Sequence, residues 1–213
     1  MDEARMWAGV EQGRLRLADL LDALPPEDWE RPSLCTGWSI RDVAAHVTAN
    51  PQFGVGDWLR EAARARGNFN RMIHDSARRR AQAPTGEIVA QLRNHAASRR
   101  VPPVPGAGPD STIMDVLTHT QDIALALGQE PRIPPEDAAA GLGSLWKLKF
   151  PFNPRKNLAG MRFIATDTDW AVGEGAEIHG PASAFLLLFT NRKAAYEQLR
   201  GPGLPLAKAK QAA

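Results

Sequence analysis

The sequence predicts an α+β chain, with a helical bundle over residues 1–150 and a small β-β-β-α unit over 151–213. Two observations carry this. As far as about residue 147, apolar residues recur at the three-and-four spacing of a helix face. From "MRFIATD" onward they fall into short runs closed by Asp and Gly, the pattern of strands and turns.

The elements follow in order. Met6, Val10, Leu17, Leu20, Leu21 and Leu24 make the stripe of a first helix, which Pro25 and Pro26 end. "EDWERPSLCTGW" (27–38) is a loop with Trp29 and Trp38 packed inward. Ser39 caps a second helix, Asp42 supplies the acid of a capping box, and Pro51 interrupts it. Residues 56–82 read as one long Arg-rich helix and 85 to about 100 as another. "VPPVPGAGPD" (101–110) is a loop. Thr112 caps the next helix, with Asp115 three residues in, and that helix ends near Gly128. A further helix spans 135–147, before the linker-like "PFNPRKN". "MRFIATD", "DWAVGEG" and "AEIHG" are strands, with "GEGAEIHG" (173–180) read as a hairpin. "PASAFLLLFTNRKAAYEQL" (181–199) is a helix with proline in its first turn. The tail "LPLAKAKQAA" (204–213) is expected to fray.

Composition narrows the function classes. At 213 residues and 43% hydrophobic content, the chain buries a core without staples. Its one cysteine, Cys35, excludes an internal disulfide and fits a reducing cytoplasm. The amphipathic N-terminus is not a signal peptide, and no apolar run approaches the ~20 residues of a membrane span. A net charge of +2 is too small to argue for nucleic acid, and Arg78, Arg79 and Arg80 read as a solvated helix face. There is no P-loop and no dinucleotide-binding turn. A monomer or homodimer with small-molecule partners, neither nucleic acid nor membrane, is expected.

One frame occurs twice. "SIRDVAAH" (39–46) and "TIMDVLTH" (112–119) both read Ser/Thr-x-x-Asp-x-x-x-His. Residues four apart share a helix face, so Asp115 and His119 can address one object. His46 is well placed to add a third donor from another helix, as bundles do when they build metal sites. Two imidazoles and one carboxylate leave a position open on zinc for water or substrate. The same residues have plainer readings: Asp42 and Asp115 as helix caps, His46 as a hydrogen-bonded core histidine. His74, His95 and His179 read as surface or outer-layer residues. Asp122, one turn beyond His119, is placed to hydrogen-bond that imidazole and fix its tautomer.

The ordered pieces "GWSIRDVAAH", "LTHTQDI" and "ATDTDWAVGEG…GPA" resemble the mycothiol-dependent maleylpyruvate isomerase family of the DinB-like superfamily, over nearly the whole chain. The resemblance implies a DinB-like four-helix bundle that holds a divalent metal, usually zinc, followed by a small C-terminal domain. It assigns the ligands to His46, Asp115 and His119, and leaves Asp42 as a cap. It implies mycothiol as thiol cofactor and an unsaturated keto-acid substrate: metal-bound thiolate adds to the double bond, the bond rotates, and elimination gives the trans product. It also implies a carboxylate-binding arginine from the C-terminal domain, here Arg192, with Arg71 and Arg78 as weaker candidates. Where the family pattern has glutamate this chain has Asp115, one methylene shorter. Transfer of the thiol to electrophiles is the alternative activity, and a non-catalytic metal-binding stress protein or a DNA-binding regulator are rivals of other classes. Cys35 as nucleophile is a further competitor, without an evident partner base nearby in sequence.

Overall fold

The computed structural model describes residues 1–104 and 106–212. The α+β architecture is as expected, and by internal contacts the chain divides into Asp2–Pro131 and a second unit from Arg132 onward.

The N-terminal unit contains α1 (Glu3–Asp22), α2 (Ile40–Val47), α3 (Val55–Arg64), α4 (Phe69–Arg80), α5 (Thr85–Asn94) and α6 (Pro109–Ala124). α1 packs on α5 and α6, and α2 on the same two, so these four close a bundle; α4 lies against α2. The core is what the helical stripes present: Leu17 and Leu21 from α1, Ile40, Val43 and Val47 from α2, Ile88 and Leu92 from α5, Val116 and Ile123 from α6. Burial of each such side chain is worth about 1.5–3 kcal/mol. Gly13 lets α1 approach α6 closely, since a Cβ there would stand 3.0 Å from Val116 Cγ1.

Three boundaries differ from expectation. The long helix over 56–82 is two helices, broken at Arg66 (φ 52°) and Gly67 (φ 74°), after which Asn68 Oδ1 accepts from Arg71 N (2.9 Å) to start α4. The helix expected to reach 100 ends at Asn94. α6 starts at Pro109 rather than after Thr112: proline needs no hydrogen-bond acceptor in a first turn, and Ser111 Oγ accepts from Gly108 N (2.9 Å). Asp115 therefore stands more than a turn inside the helix and is no cap. The expected loop 101–110 is irregular up to Gly108, with Pro105 outside the described residues.

The second unit holds α7 (Pro135–Lys147), α8 (Pro154–Asn157), β1 (Met161–Ala165), β2 (Ala171–Gly173), β3 (Ala176–Gly180), α9 (Ala182–Phe189) and α10 (Leu204–Ala212). α7 packs on α9, so the divide by contacts falls before α7, earlier than the boundary expected at 150. The sheet order is β2-β1-β3, with β2 antiparallel and β3 parallel to β1. Within "GEGAEIHG" residues 174–175 thus cross from one edge strand to the other, β3, and the stretch is not a hairpin. Gly175 (φ 118°) permits it, because a side chain there would run into the Gly160 carbonyl. The segment 181–199 is also broken: α9 stops before Thr190, Asn191 turns left-handed (φ 64°), and Lys193–Glu197 form a short 3-10 turn. The tail expected to fray is helical to Ala212, held where Gln211 Nε2 donates to the Leu188 carbonyl (2.6 Å) and Tyr196 Oη donates to Gln211 Oε1 (2.6 Å). Ala213 lies outside the described residues. Among the described residues no helix is long and apolar enough to cross a membrane.

Candidate metal centre

Two helices bring the donors together. Ser39 starts α2 with a reciprocal cap, its Oγ accepting from Asp42 N (3.2 Å) while Asp42 Oδ2 accepts from Ser39 N (3.0 Å). Asp42 is thereby a cap, as one of its readings had it. His46 follows in the last turn, buried to 8% exposure, with the Trp38 ring edge-on to it at 5.4 Å. Asp115 and His119 stand four apart on α6, facing α2.

Ligating atoms of His46, Asp115 and His119 lie within 4.8 Å of one another. Asp115 Oδ1 is 3.6 Å from His46 Nε2 and 3.5 Å from His119 Nε2. These separations are long for hydrogen bonds. They match donors sharing an ion: ligands at ~2.0–2.1 Å around a tetrahedral zinc sit about 3.3–3.4 Å apart. The tautomer agrees. His119 Nδ1 lies 2.9 Å from Asp122 Oδ2, and a carboxylate only accepts, so Nδ1 carries the proton in the neutral ring. Nε2 then presents a lone pair toward the Asp115 oxygen, an arrangement of two acceptors that a cation or a proton between them resolves. The residues present fit a divalent metal.

Electrostatics couple the same groups. Burial works to lift Asp115, but contacts with His119 and His46 overcome it and hold its carboxyl below the usual carboxylate range. Burial works to lower His119, but Asp115, Asp122 and Cys35 push it well above its ordinary value. Behind the site, Arg14 is wholly buried, and its Nη1 donates to the carbonyls of Ala96 (3.0 Å) and Ser98 (2.7 Å). Burial lowers it to about 10, against the attraction of the Asp115 charge.

Asp122 is fully buried, where the spacing from His119 placed it. Two contacts were not legible in the sequence. Cys35 Sγ lies 3.3 Å from Asp122 Oδ2, so the thiol and His119 share one carboxylate. Cys35, His119 and Asp122 form a second group of donor atoms within 4.8 Å of one another. Asn50 Nδ2 donates to Asp115 Oδ2 at 3.1 Å. The other sequence candidates are not among these grouped donors. Arg71 is exposed and paired with Asp75, and Arg78 Nη2 reaches the Gly37 carbonyl at 3.4 Å. Arg192 belongs to the second unit, just after α9, where its Nη1 donates to the Thr190 carbonyl (2.8 Å). His74 meets Asp75 and the edge of Trp38, His95 is exposed, and His179 pairs with Glu177.

The comparisons with known proteins bear on this arrangement. Residues 10–124 match the sequence model of the mycothiol maleylpyruvate isomerase N-terminal domain. Among solved structures, the crystal structure of the mycothiol-dependent maleylpyruvate isomerase is similar with a TM-score of 0.58 at 13% identity, covering 95% of this chain and 93% of that one. A histidine-to-alanine mutant of that enzyme is similar to the same degree, at 12% identity with the same coverage and TM-score. No curated protein matches the chain in sequence.

Proposed function

The chain belongs to the mycothiol maleylpyruvate isomerase N-terminal domain family, and on that premise we propose that it is a metal-dependent enzyme using mycothiol on a small unsaturated acid. The observation that carries the proposal is the convergence of His46 Nε2, Asp115 Oδ1 and His119 Nε2, ligating atoms of two imidazoles and one carboxylate within 4.8 Å of one another. These three residues would hold a divalent cation, zinc by donor type, and a bound zinc ion turns a thiol into thiolate at neutral pH.

The chain's own groups set the conditions for that chemistry. Asp122 orients the His119 ring and keeps its Nε2 lone pair toward the centre. Trp38 packs edge-on to His46 and limits how that ring can turn. Three protein donors leave a coordination position for an outside ligand, as catalytic zinc sites require. Cys35 is not the nucleophile in this reading: its sulfur is engaged by Asp122, and its role is to help hold that carboxylate. Arg192 is assigned to the substrate carboxylate, a task suited to a guanidinium fork. A thiol-using enzyme fits a reducing compartment such as the cytoplasm.

The test begins with metal content. Protein purified without chelator should carry about one zinc or similar ion per chain, as a three-donor site does, and His46→Ala and His119→Ala should lose it. The loaded protein is then assayed with mycothiol and maleylpyruvate. Conversion to the trans isomer with the thiol recovered supports the isomerase. A stable thioether product reassigns the chain to S-transfer. No metal in the native protein, and none on reconstitution, removes the proposal altogether.

A further inference from the structure

Asp115 has two oxygens with different surroundings. Oδ1 faces both histidine nitrogens, at 3.5 and 3.6 Å. Oδ2 accepts a hydrogen bond from Asn50 Nδ2 at 3.1 Å. A carboxylate only accepts, so the amide must present its NH2 here and cannot serve in the reverse orientation.

Asn50 is itself firmly held. It lies in the turn that closes α2, where Ala49 N donates to the His46 carbonyl (2.9 Å) and Gln52 N to the Ala49 carbonyl (3.0 Å). The next residue is tied across the bundle, the Pro51 carbonyl accepting from Ser98 Oγ at 2.8 Å. Ser98 is in turn gripped by the buried Arg14, whose Nη1 donates to its carbonyl at 2.7 Å. A chain of contacts thus runs from α1 through the segment after α5 to the turn that aims the amide at Asp115.

We propose that Asn50 is a positioning residue that restricts Asp115 to one ligating oxygen, and so keeps the centre four-coordinate with one position open. This rests on the metal-dependent reading of the site. Without that hydrogen bond, both oxygens of so short a side chain would be available to a bound ion. Two-oxygen binding fills the position that an incoming thiol needs, and it shifts preference from tetrahedral zinc toward ions that take more oxygen ligands.

The test uses full-length protein loaded with cobalt(II), zinc(II) or manganese(II) alone. The cobalt form of the unaltered chain should show the intense visible absorption of a four-coordinate ion. Asn50→Leu, which keeps the branched shape and loses the donor, should show the weaker bands of higher coordination. Its zinc affinity should fall about 10–100-fold, the usual cost of losing an outer hydrogen bond to a ligand, while its manganese affinity falls less. Asn50→Ser is too short to reach Oδ2 and should behave alike, which guards against poor folding of the leucine variant. A purely structural role for Asn50 weakens both ions equally and leaves the cobalt spectrum unchanged; that result overturns the proposal while the metal site stands. If the unaltered chain binds none of the three ions, the metal-dependent reading fails and this inference with it.

Discussion

Helices α6 and α9 are both buried, and they are buried for different ends. From Ala184 to Phe189 every residue of α9 is at or below 1% exposure, and every one is apolar. Its partners are aromatic: Phe185 and Phe189 pack on Phe163 with ring centroids 5.8 and 4.8 Å apart, and Trp170 leans on Phe185 at 5.7 Å. α6 is also enclosed over Val116–Ala124, but it buries Thr118, His119, Thr120, Gln121 and Asp122. Thr120 and Gln121 satisfy themselves on carbonyls one turn back, at 2.8 and 3.3 Å. His119 and Asp122 use each other; His119 also meets His46 of α2, and Asp122 meets Cys35 in the loop before α2. Buried polar groups are costly unless paired, so a helix that keeps this many is organised around a site, whereas α9 is organised around packing.

That contrast can be broken or sharpened by substitution. The largest stability effect belongs to α9: Phe185→Ala should destabilise the chain by about 3–5 kcal/mol in denaturant unfolding, with metal content per folded chain unchanged. Equal loss of metal would mean that the two helices are not separate in purpose. Asp122→Asn in α6 should show the opposite profile. Zinc affinity, measured by chelator competition, should fall about 10–100-fold, with little change in the unfolding midpoint of metal-saturated protein.

The pH profile of the metal-free protein sharpens the point. His119 is raised in the folded state, so its contribution to stability is full below its ordinary value of 6.5 and is lost as pH rises through the raised one. Asp115 is lowered, so its contribution is present above its ordinary value of 3.8 and is lost as pH falls through the lowered one. Thermal unfolding without metal should therefore be most resistant between these two ordinary values. With zinc present the trend above 6.5 should reverse, because the cation replaces the proton and binds deprotonated imidazole. A metal-free protein that gains stability steadily above that pH contradicts the assignment. The smallest effect is local to α2: Ser39→Ala removes the cap and should cost about 1 kcal/mol, a control that touches neither core nor donors.

Much of this was legible in the residues. Period-three-and-four stripes located α1 and α7, short runs closed by Asp and Gly located the strands, and Ser39 with Asp42 marked the start of α2. The donors were legible because two of them lie one turn apart on a helix, where spacing translates directly into a shared face. What escaped had no such rule. The breaks at Arg66 and Asn191 put ordinary residues into left-handed turns, which periodicity does not register. The start of α6 was misplaced because Thr112 resembles a cap, while Pro109 and Ser111 form the actual first turn. Asn50 and Asp115 are 65 positions apart, and Cys35 and Asp122 are 87 apart, so only the fold reveals that they meet.

The splitting of the donors between α2 and α6 also sets a schedule. A chain emerging from the ribosome up to the end of α5 has made one of the three, His46, and Asp115 and His119 arrive together some seventy residues after it. On the proposed reading, a lone imidazole is too weak a ligand set to retain an ion before α6 docks. Cation capture would then be deferred to the completion of the bundle, and the newborn protein would sample the metal supply of its surroundings as a folded body rather than as a thread.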